Sequence, residues 1–510
     1  MTDASPHVQC AAGEFIGAGL GTVDVFRGIR YAAPPIGGRR WRDPLPAPSV
    51  VGPIDATTFG GVAPQQINPA LTLGPGARQD EDCLFLNVWR PAGASGRALP
   101  VMVWLHGGAY TFGSSSQPLY DGGALVESGD VVVVTVNYRI GALGFLDLSS
   151  FSTTDQQFDG NLALKDILLA LHWVKDNIED FGGDPSKVTV FGESAGGGLV
   201  TTLLATPSAA GLFSRAIAES SPATSVYGPA RARSVAERFL REVGGDAASA
   251  RSLPASEIVR AAMAVFAAVP TEVPGTLAFA PVIDGTLVPE APATVLKEGR
   301  ALPVPLIIGT NHDEASFFRF MKSPLMPITG PDIERMFAAM QVENPTVELP
   351  SREAVLASYE GVRQKMLGLG IARDIAFRLP TIWIAEGHAA VAPVWLYRFD
   401  HATRALQAIG LGATHGAELA YVWGNLPTGR KDPTFLLGGR RTAERISGRV
   451  RARWTAFARG GSPDAPDAVA WTPYDAHTRE TLVIDADDRI VADLDAPLRA
   501  GWGDTVLAFP

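Results

Sequence analysis

Cysteine is almost absent: Cys10 and Cys83 are the only two in 510 residues. Two thiols form neither a disulfide framework nor a metal cluster, and such scarcity points to a reduced, cytoplasmic protein. Long apolar runs are missing too. No stretch approaches the ~18 consecutive apolar residues of a membrane span. The longest, 261–269, is Ala-rich and reads as part of a packed helix. The opening residues, MTDASPHVQCAAGE, lack the basic start and apolar core of a secretory signal. Positive charge is in deficit, with 43 Lys and Arg against 53 Asp and Glu and a net charge of −10. That balance, with no basic run, excludes a nucleic-acid binder.

What remains is a folding composition, 46% hydrophobic and 19% charged, suited to a large buried core. Short β-type runs at 23–26 and 84–89 lie among Gly and Pro clusters. From residue 100 strands and helices alternate, with strands at 101–105, 131–138, 188–191, 216–218, 304–308 and 394–399. A helix with Leu164, Leu168, Leu171, Val174 and Ile178 on one face spans 161–178. The pattern predicts an α/β fold with a large, mostly parallel sheet covered by helices on both faces. Residues 320–390 hold several amphipathic helices, interrupted at Pro345 and Pro350, and read as a cap-like insertion over the sheet. One domain over 1–510 accommodates all of this.

The clearest chemical signal is Val188-Thr-Val-Phe-Gly-Glu-Ser194-Ala-Gly-Gly-Gly198. A buried strand enters Gly-x-Ser-x-Gly and a helix leaves it, the setting of a nucleophile elbow. A serine hydroxyl needs a base, and the oxyanion it generates needs fixed donors. The segment Trp104-Leu-His-Gly-Gly-Ala-Tyr110 follows another buried strand with an open, glycine-rich backbone. The amides of Gly108, Ala109 and Ala195 are therefore the candidate donors. The base should follow the serine and the acid should lie between them. His415, in a loop of small residues, leads for the base, with His401 as rival. For the acid, Asp313 and Glu314 follow the strand at 304–308, and spacing does not choose between them.

These motifs, with others along the chain, resemble those of the type B carboxylesterases, the family that includes the cholinesterases. The likeness is greatest to bacterial p-nitrobenzyl-esterase-like members. It rests on Phe26-Arg-Gly-Ile-Arg-Tyr31 with Pro34-Pro35, Glu81-Asp-Cys-Leu-Phe-Leu-Asn-Val-Trp89, the His106–Ala109 loop and Asn137-Tyr-Arg139. It continues through Phe181-Gly-Gly-Asp-Pro185, Gly192–Gly197, Gly309-Thr-Asn-His-Asp-Glu-Ala-Ser-Phe-Phe318, His415-Gly-Ala-Glu418 and Trp454-Thr-Ala-Phe-Ala-Arg459.

The resemblance implies an α/β-hydrolase fold and a triad of Ser194, Glu314 and His415. It supports Gly108, Ala109 and Ala195 as oxyanion donors, matches Phe317 and Phe318 to the aromatic lining of the acyl and alcohol pockets, and matches Ser220 to a serine near the triad, among the pocket residues and able to hydrogen-bond the acid. It implies hydrolysis of small-molecule esters with no cofactor, no metal, no nucleic acid and no membrane. Aryl carbamates, lactones and activated amides would suit the same triad, and some relatives keep the fold without chemistry. The chain departs from the family at three places. Ser221 replaces a usual glycine, and Ala63 stands where the disulfide partner of Cys83 would be. The 64–82 loop has no aromatic residue to hold a quaternary ammonium, which argues against choline esters.

Overall fold

Strands buried on both faces leave no solvent side for polar residues, so they read as unbroken apolar runs. The runs at 101–105, 132–136 and 188–191 become neighbours at the centre of one sheet for this reason. The computed structural model describes residues 5–68, 72–427 and 432–509. Their strands are β1 (His7–Cys10), β2 (Gly13–Ile16), β3 (Ala18–Leu20), β4 (Val23–Arg30), β5 (Pro53–Asp55), β6 (Phe85–Pro91) and β7 (Leu99–Leu105). After these come β8 (Val132–Val136), β9 (Gly183–Glu193), β10 (Arg215–Glu219), β11 (Leu306–Asn311), β12 (Val394–Phe399), β13 (Glu480–Ile484) and β14 (Arg489–Ala492).

Eleven strands form the main sheet in the order β14-β13-β12-β11-β10-β9-β7-β8-β6-β4-β3, and β1, β2 and β5 form a small second sheet. From β8 through β13 neighbouring strands run parallel. β14 and the N-terminal strands β6, β4 and β3 are antiparallel additions at the edges. The chain steps one way from β7 to β8 and the other way from β8 to β9. The carboxyl ends of β7 and β9 therefore bracket a switch point, where open α/β sheets bind ligands.

Side chains alternate between two cores, as strand geometry requires. Val101, Val103 and Leu105 face one core, with Val132, Val134 and Val190. Met102 and Trp104 face the other, with Val133, Phe191, Ile217 and Trp423. The helices Leu162–Asn177, Ala195–Leu204 and Ala255–Glu272 contribute to the first core, and Arg440–Gly460 to the second. Burying each such Val or Leu is worth roughly 1.5–3 kcal/mol.

Residues 320–390 divide into two parts. The helices Gly330–Glu343, Arg352–Ala357 and Gln364–Arg373 are followed by a π-helical turn, Asp374–Arg378. Met336, Met340 and Phe377 from this part line the main cavity. The next helix, Leu379–His388, buries Ile382, Trp383 and Ile384 in the first core, as the preceding helices bury Ile333, Val355 and Ile371. Cys10 and Cys83 are buried free thiols. No described helix is long and apolar enough to cross a membrane.

Candidate active site

β7 and β9 pair with Leu105 opposite Gly192, and β9 and β10 with Glu193 opposite Glu219. β9 ends in Ser194, whose φ of 56° and ψ of −125° are costly for a residue with a side chain. The neighbours hold it there: its N–H donates to the Glu219 carbonyl (2.9 Å) and its own carbonyl accepts from Gly198 (2.8 Å). The helix Ala195–Leu204 begins so close to β7 that a Cβ on Gly196 would stand 2.0 Å from the Leu105 carbonyl oxygen. Glycine here is a packing requirement, since three consecutive glycines weaken a helix.

The loop after β7 turns sharply, with positive φ at Gly108 (120°), Ala109 (51°) and Tyr110 (57°). A Cβ on Gly108 would meet the Phe112 carbonyl oxygen at 2.2 Å. Below it His106 is buried, stacked on Tyr138 with ring centroids 4.4 Å apart. Burial lowers the His106 pKa to about 4, so it stays neutral and acts as a support. Gly108, Ala109 and Ala195 all line the cavity beside Ser194. Ala195 opens its helix, where amides lack an acceptor within the helix.

The loops that carry Glu314 and His415 meet through a parallel bridge between Asp313 and Thr414. The Asp313 N–H donates to the Ala413 carbonyl (2.8 Å), and its Oδ2 accepts from the Ala413 N–H (3.0 Å). That clamp sets the next residues side by side. His415 Nδ1 lies 2.6 Å from Glu314 Oε2, and His415 Nε2 lies 2.8 Å from Ser194 Oγ. A carboxylate only accepts, so the proton sits on Nδ1 and Nε2 accepts from the hydroxyl. His401 is elsewhere, with Nδ1 3.1 Å from Asp485 Oδ1.

Glu314 is fully buried and accepts at Oε1 from Ser220 Oγ (2.6 Å) and the Asn311 N–H (2.8 Å). Ser220 does not belong with the cavity residues. It is fully buried beneath them, because its positive φ of 48° at the end of β10 turns it towards Glu314. Ser221 fills the place of the usual glycine by exchanging a 3.0 Å hydroxyl contact with Thr201. Phe317 and Phe318 both line the cavity, and the Phe318 ring centroid is 5.2 Å from that of His415.

Four further groups escape the sequence reading. Glu193, Glu219 and Glu418 are buried carboxyls, of which Glu193 touches the imidazole, and the Phe377 ring lies tilted against that imidazole with centroids 4.8 Å apart. Burial lifts Glu193 to about 7; His415 pulls it down and Glu314 pushes it up. Burial lifts Glu219 to about 8, although Trp454 Nε1 donates to it at 2.7 Å. Burial also raises Glu418 well above the carboxylate range, with Glu193, Glu219 and Glu314 adding to the effect. For His415 burial opposes the charged form, yet Glu193 and Glu314 together raise its pKa to about 9. The available signal was a glutamate directly before each of Ser194 and Ser220, at the end of an apolar strand.

The hydroxyl opens into a cavity of about 530 Å³ walled mainly by Phe, Met and Leu side chains. Among the described residues no cluster of three His, Cys, Asp or Glu could hold a metal ion. The arrangement can move a proton from Ser194 to His415 and stabilise the resulting imidazolium.

Residues 4–497 match the sequence model of the Carboxylesterase family. The chain is 36% identical over 481 residues to the para-nitrobenzyl esterase of Bacillus subtilis (strain 168), covering 94% of each protein. It is 32% identical to the fumonisin B1 esterase of Sphingopyxis macrogoltabida, over 92% of this chain and 84% of that one. Among solved structures, a PNB esterase superposes with a TM-score of 0.82 at 36% identity, over 97% of this chain and 99% of that one. A Geobacillus stearothermophilus carboxylesterase gives 0.84 at 34% identity, with the same coverage.

Proposed function

The chain belongs to the carboxylesterase family, and we propose that it hydrolyses small to medium, uncharged esters through an acyl-enzyme on Ser194. The observation that carries this reading is the continuous chain from Glu314 through His415 to Ser194, with links of 2.6 and 2.8 Å, opening into an apolar cavity.

His415 Nε2 takes the Ser194 proton as Oγ bonds to the ester carbonyl carbon, and the carbonyl electron pair moves onto oxygen. Amides of Gly108, Ala109 and Ala195 receive that oxyanion. When the carbonyl re-forms, the bond to the alcohol oxygen breaks and His415 returns the proton to it. Water then repeats the sequence with the same base and releases the acid. Glu314 keeps the imidazole oriented and balances its charge in both halves. The buried free thiols support a reducing, cytoplasmic compartment.

The test is hydrolysis of p-nitrophenyl butyrate by the protein and by Ser194→Ala. We expect turnover that falls by at least ~10⁴-fold in a variant of unchanged circular dichroism. Equal rates in the two proteins would overturn the assignment. Faster turnover of a matched aryl carbamate than of the ester would overturn the ester preference.

A further inference from the structure

We infer that the segment following the last helix, through Leu507 and Phe509, is the wall that limits the acyl group of the ester; this rests on the hydrolase reading above. The family match ends at residue 497, so the segment lies outside the part of the chain that the family model describes. Yet Leu507 and Phe509 line the same cavity as Ser194 and His415. Both are almost completely buried, at 1% and 5% exposure, which is unusual for a chain segment beyond the last element.

Two sets of contacts hold the segment in place. The helix Ala496–Trp502 ends in Trp502, whose ring packs 6.0 Å from that of Phe337, on the helix Gly330–Glu343. That helix supplies Met336 and Met340 to the cavity. At the other end the Arg231 guanidinium lies 4.9 Å from the Phe509 ring centroid and 5.2 Å from that of Tyr227, and also pairs with Glu343. Phe509 packs beside Gly275, where the missing side chain makes room for the Met336 sulfur.

The position of the wall identifies which half of the ester it meets. The departing alcohol oxygen takes its proton from His415 Nε2, so the alcohol lies beside that imidazole, against Phe318 and Phe377. The acyl chain takes the remaining space. Phe509 packs against Gly275 and Arg231, and among the described residues it makes no ring contact with either Phe318 or Phe377. Truncating Phe509 lengthens the acyl side, while Ser194, His415 and the oxyanion amides are untouched.

The experiment compares wild type, Phe509→Ala, Phe509→Leu and Phe509→Trp on p-nitrophenyl esters from acetate to dodecanoate, and on butyrates of alcohols of increasing length. In Phe509→Ala the kcat/KM for long acyl chains relative to acetate should rise about tenfold, with a smaller rise in Phe509→Leu. Phe509→Trp should shift the preference towards acetate. Circular dichroism and the Tm report whether each variant is folded. Unchanged acyl profiles in folded variants would overturn the inference while leaving the hydrolase reading in place. A shift confined to the alcohol series would overturn the acyl assignment. A wild type inert towards every ester would overturn the hydrolase reading, and the acyl wall with it.

Discussion

Glu193 Oε1 stands 3.3 Å from His415 Nε2, on the same ring nitrogen that faces the Ser194 hydroxyl. The His415 ring is thus held between two carboxyl groups, Glu193 on one nitrogen and Glu314 on the other. Each favours the imidazolium, which helps when the proton is taken up and hinders when the free base must be neutral.

That arrangement fixes a pH dependence. His415 is active as a base only when neutral, so a raised pKa pushes the acid limb of kcat/KM towards higher pH. Replacing Glu193 by Gln removes one negative charge in direct contact with the ring. The limb should then move to lower pH, by about one unit. A pH profile of p-nitrophenyl butyrate hydrolysis measures this, and a limb that stays in place shows that Glu193 does not act on the base.

Asp313 and Glu314 are adjacent in sequence and do different work. Glu314→Gln removes the charge that balances the imidazolium and should lower kcat by about 10³–10⁴-fold. Asp313→Ala leaves that charge but loosens the clamp on Ala413 that sets His415 in place. Its kcat should fall by about 10–100-fold, the scale of a misplaced catalytic group. Comparable losses in the two variants would contradict this division of roles.

The buried glutamates also tie stability to pH. Glu219 has a folded pKa of about 8, raised chiefly by burial above the ordinary 4.5 of a glutamate. A group with a raised folded pKa holds its proton longer when folded. Its contribution is complete below the unfolded pKa and is lost as pH rises towards 8. Glu219→Gln keeps an acceptor for Trp454 Nε1 and cannot ionise. The fall in Tm between pH 5 and pH 8 should therefore be shallower in the variant, by an amount on the order of 1–2 kcal/mol in stability. Parallel Tm curves would show that Glu219 does not titrate in this range.

The sequence carried the sheet well where strands are buried on both faces. The runs at 101–105 and 132–136 cannot be anything soluble and exposed, and the small residues around Ser194 reflect a backbone contact with Leu105. The choice between Asp313 and Glu314, or His401 and His415, was not legible from spacing. About a hundred residues separate the acid loop from the base loop, and one bridge between Asp313 and Thr414 sets their register. Motif resemblance pointed to Glu314 and His415 where local physics was silent. Phe377 was hidden because it sits in a π-helical turn, which a 3.6-residue period does not describe. Pro380, which cannot donate into the preceding turn, was the available clue. The role of Leu507 and Phe509 depends on a return path across the fold that no local pattern encodes.

Gly108 and Ala109 share a loop but impose opposite demands. Ala109 has φ of 51°, a left-handed conformation that costs an alanine roughly 1–2 kcal/mol and a glycine little. Ala109→Gly should keep kcat within a few-fold. Gly108 has φ of 120°, and any Cβ there runs into the Phe112 carbonyl oxygen. Gly108→Ala can be accommodated only by displacing the 108–109 amides from the cavity. If those amides hold the oxyanion, kcat should fall by about 10²–10³-fold, the cost of one lost donor. Because Ser194 and His415 are unaltered, the variant should still be labelled by an organophosphonate, only more slowly. Steady-state kinetics beside labelling rates separates the cases: full activity in Gly108→Ala means that the oxyanion is held elsewhere, whereas slow labelling with intact folding places it at this loop.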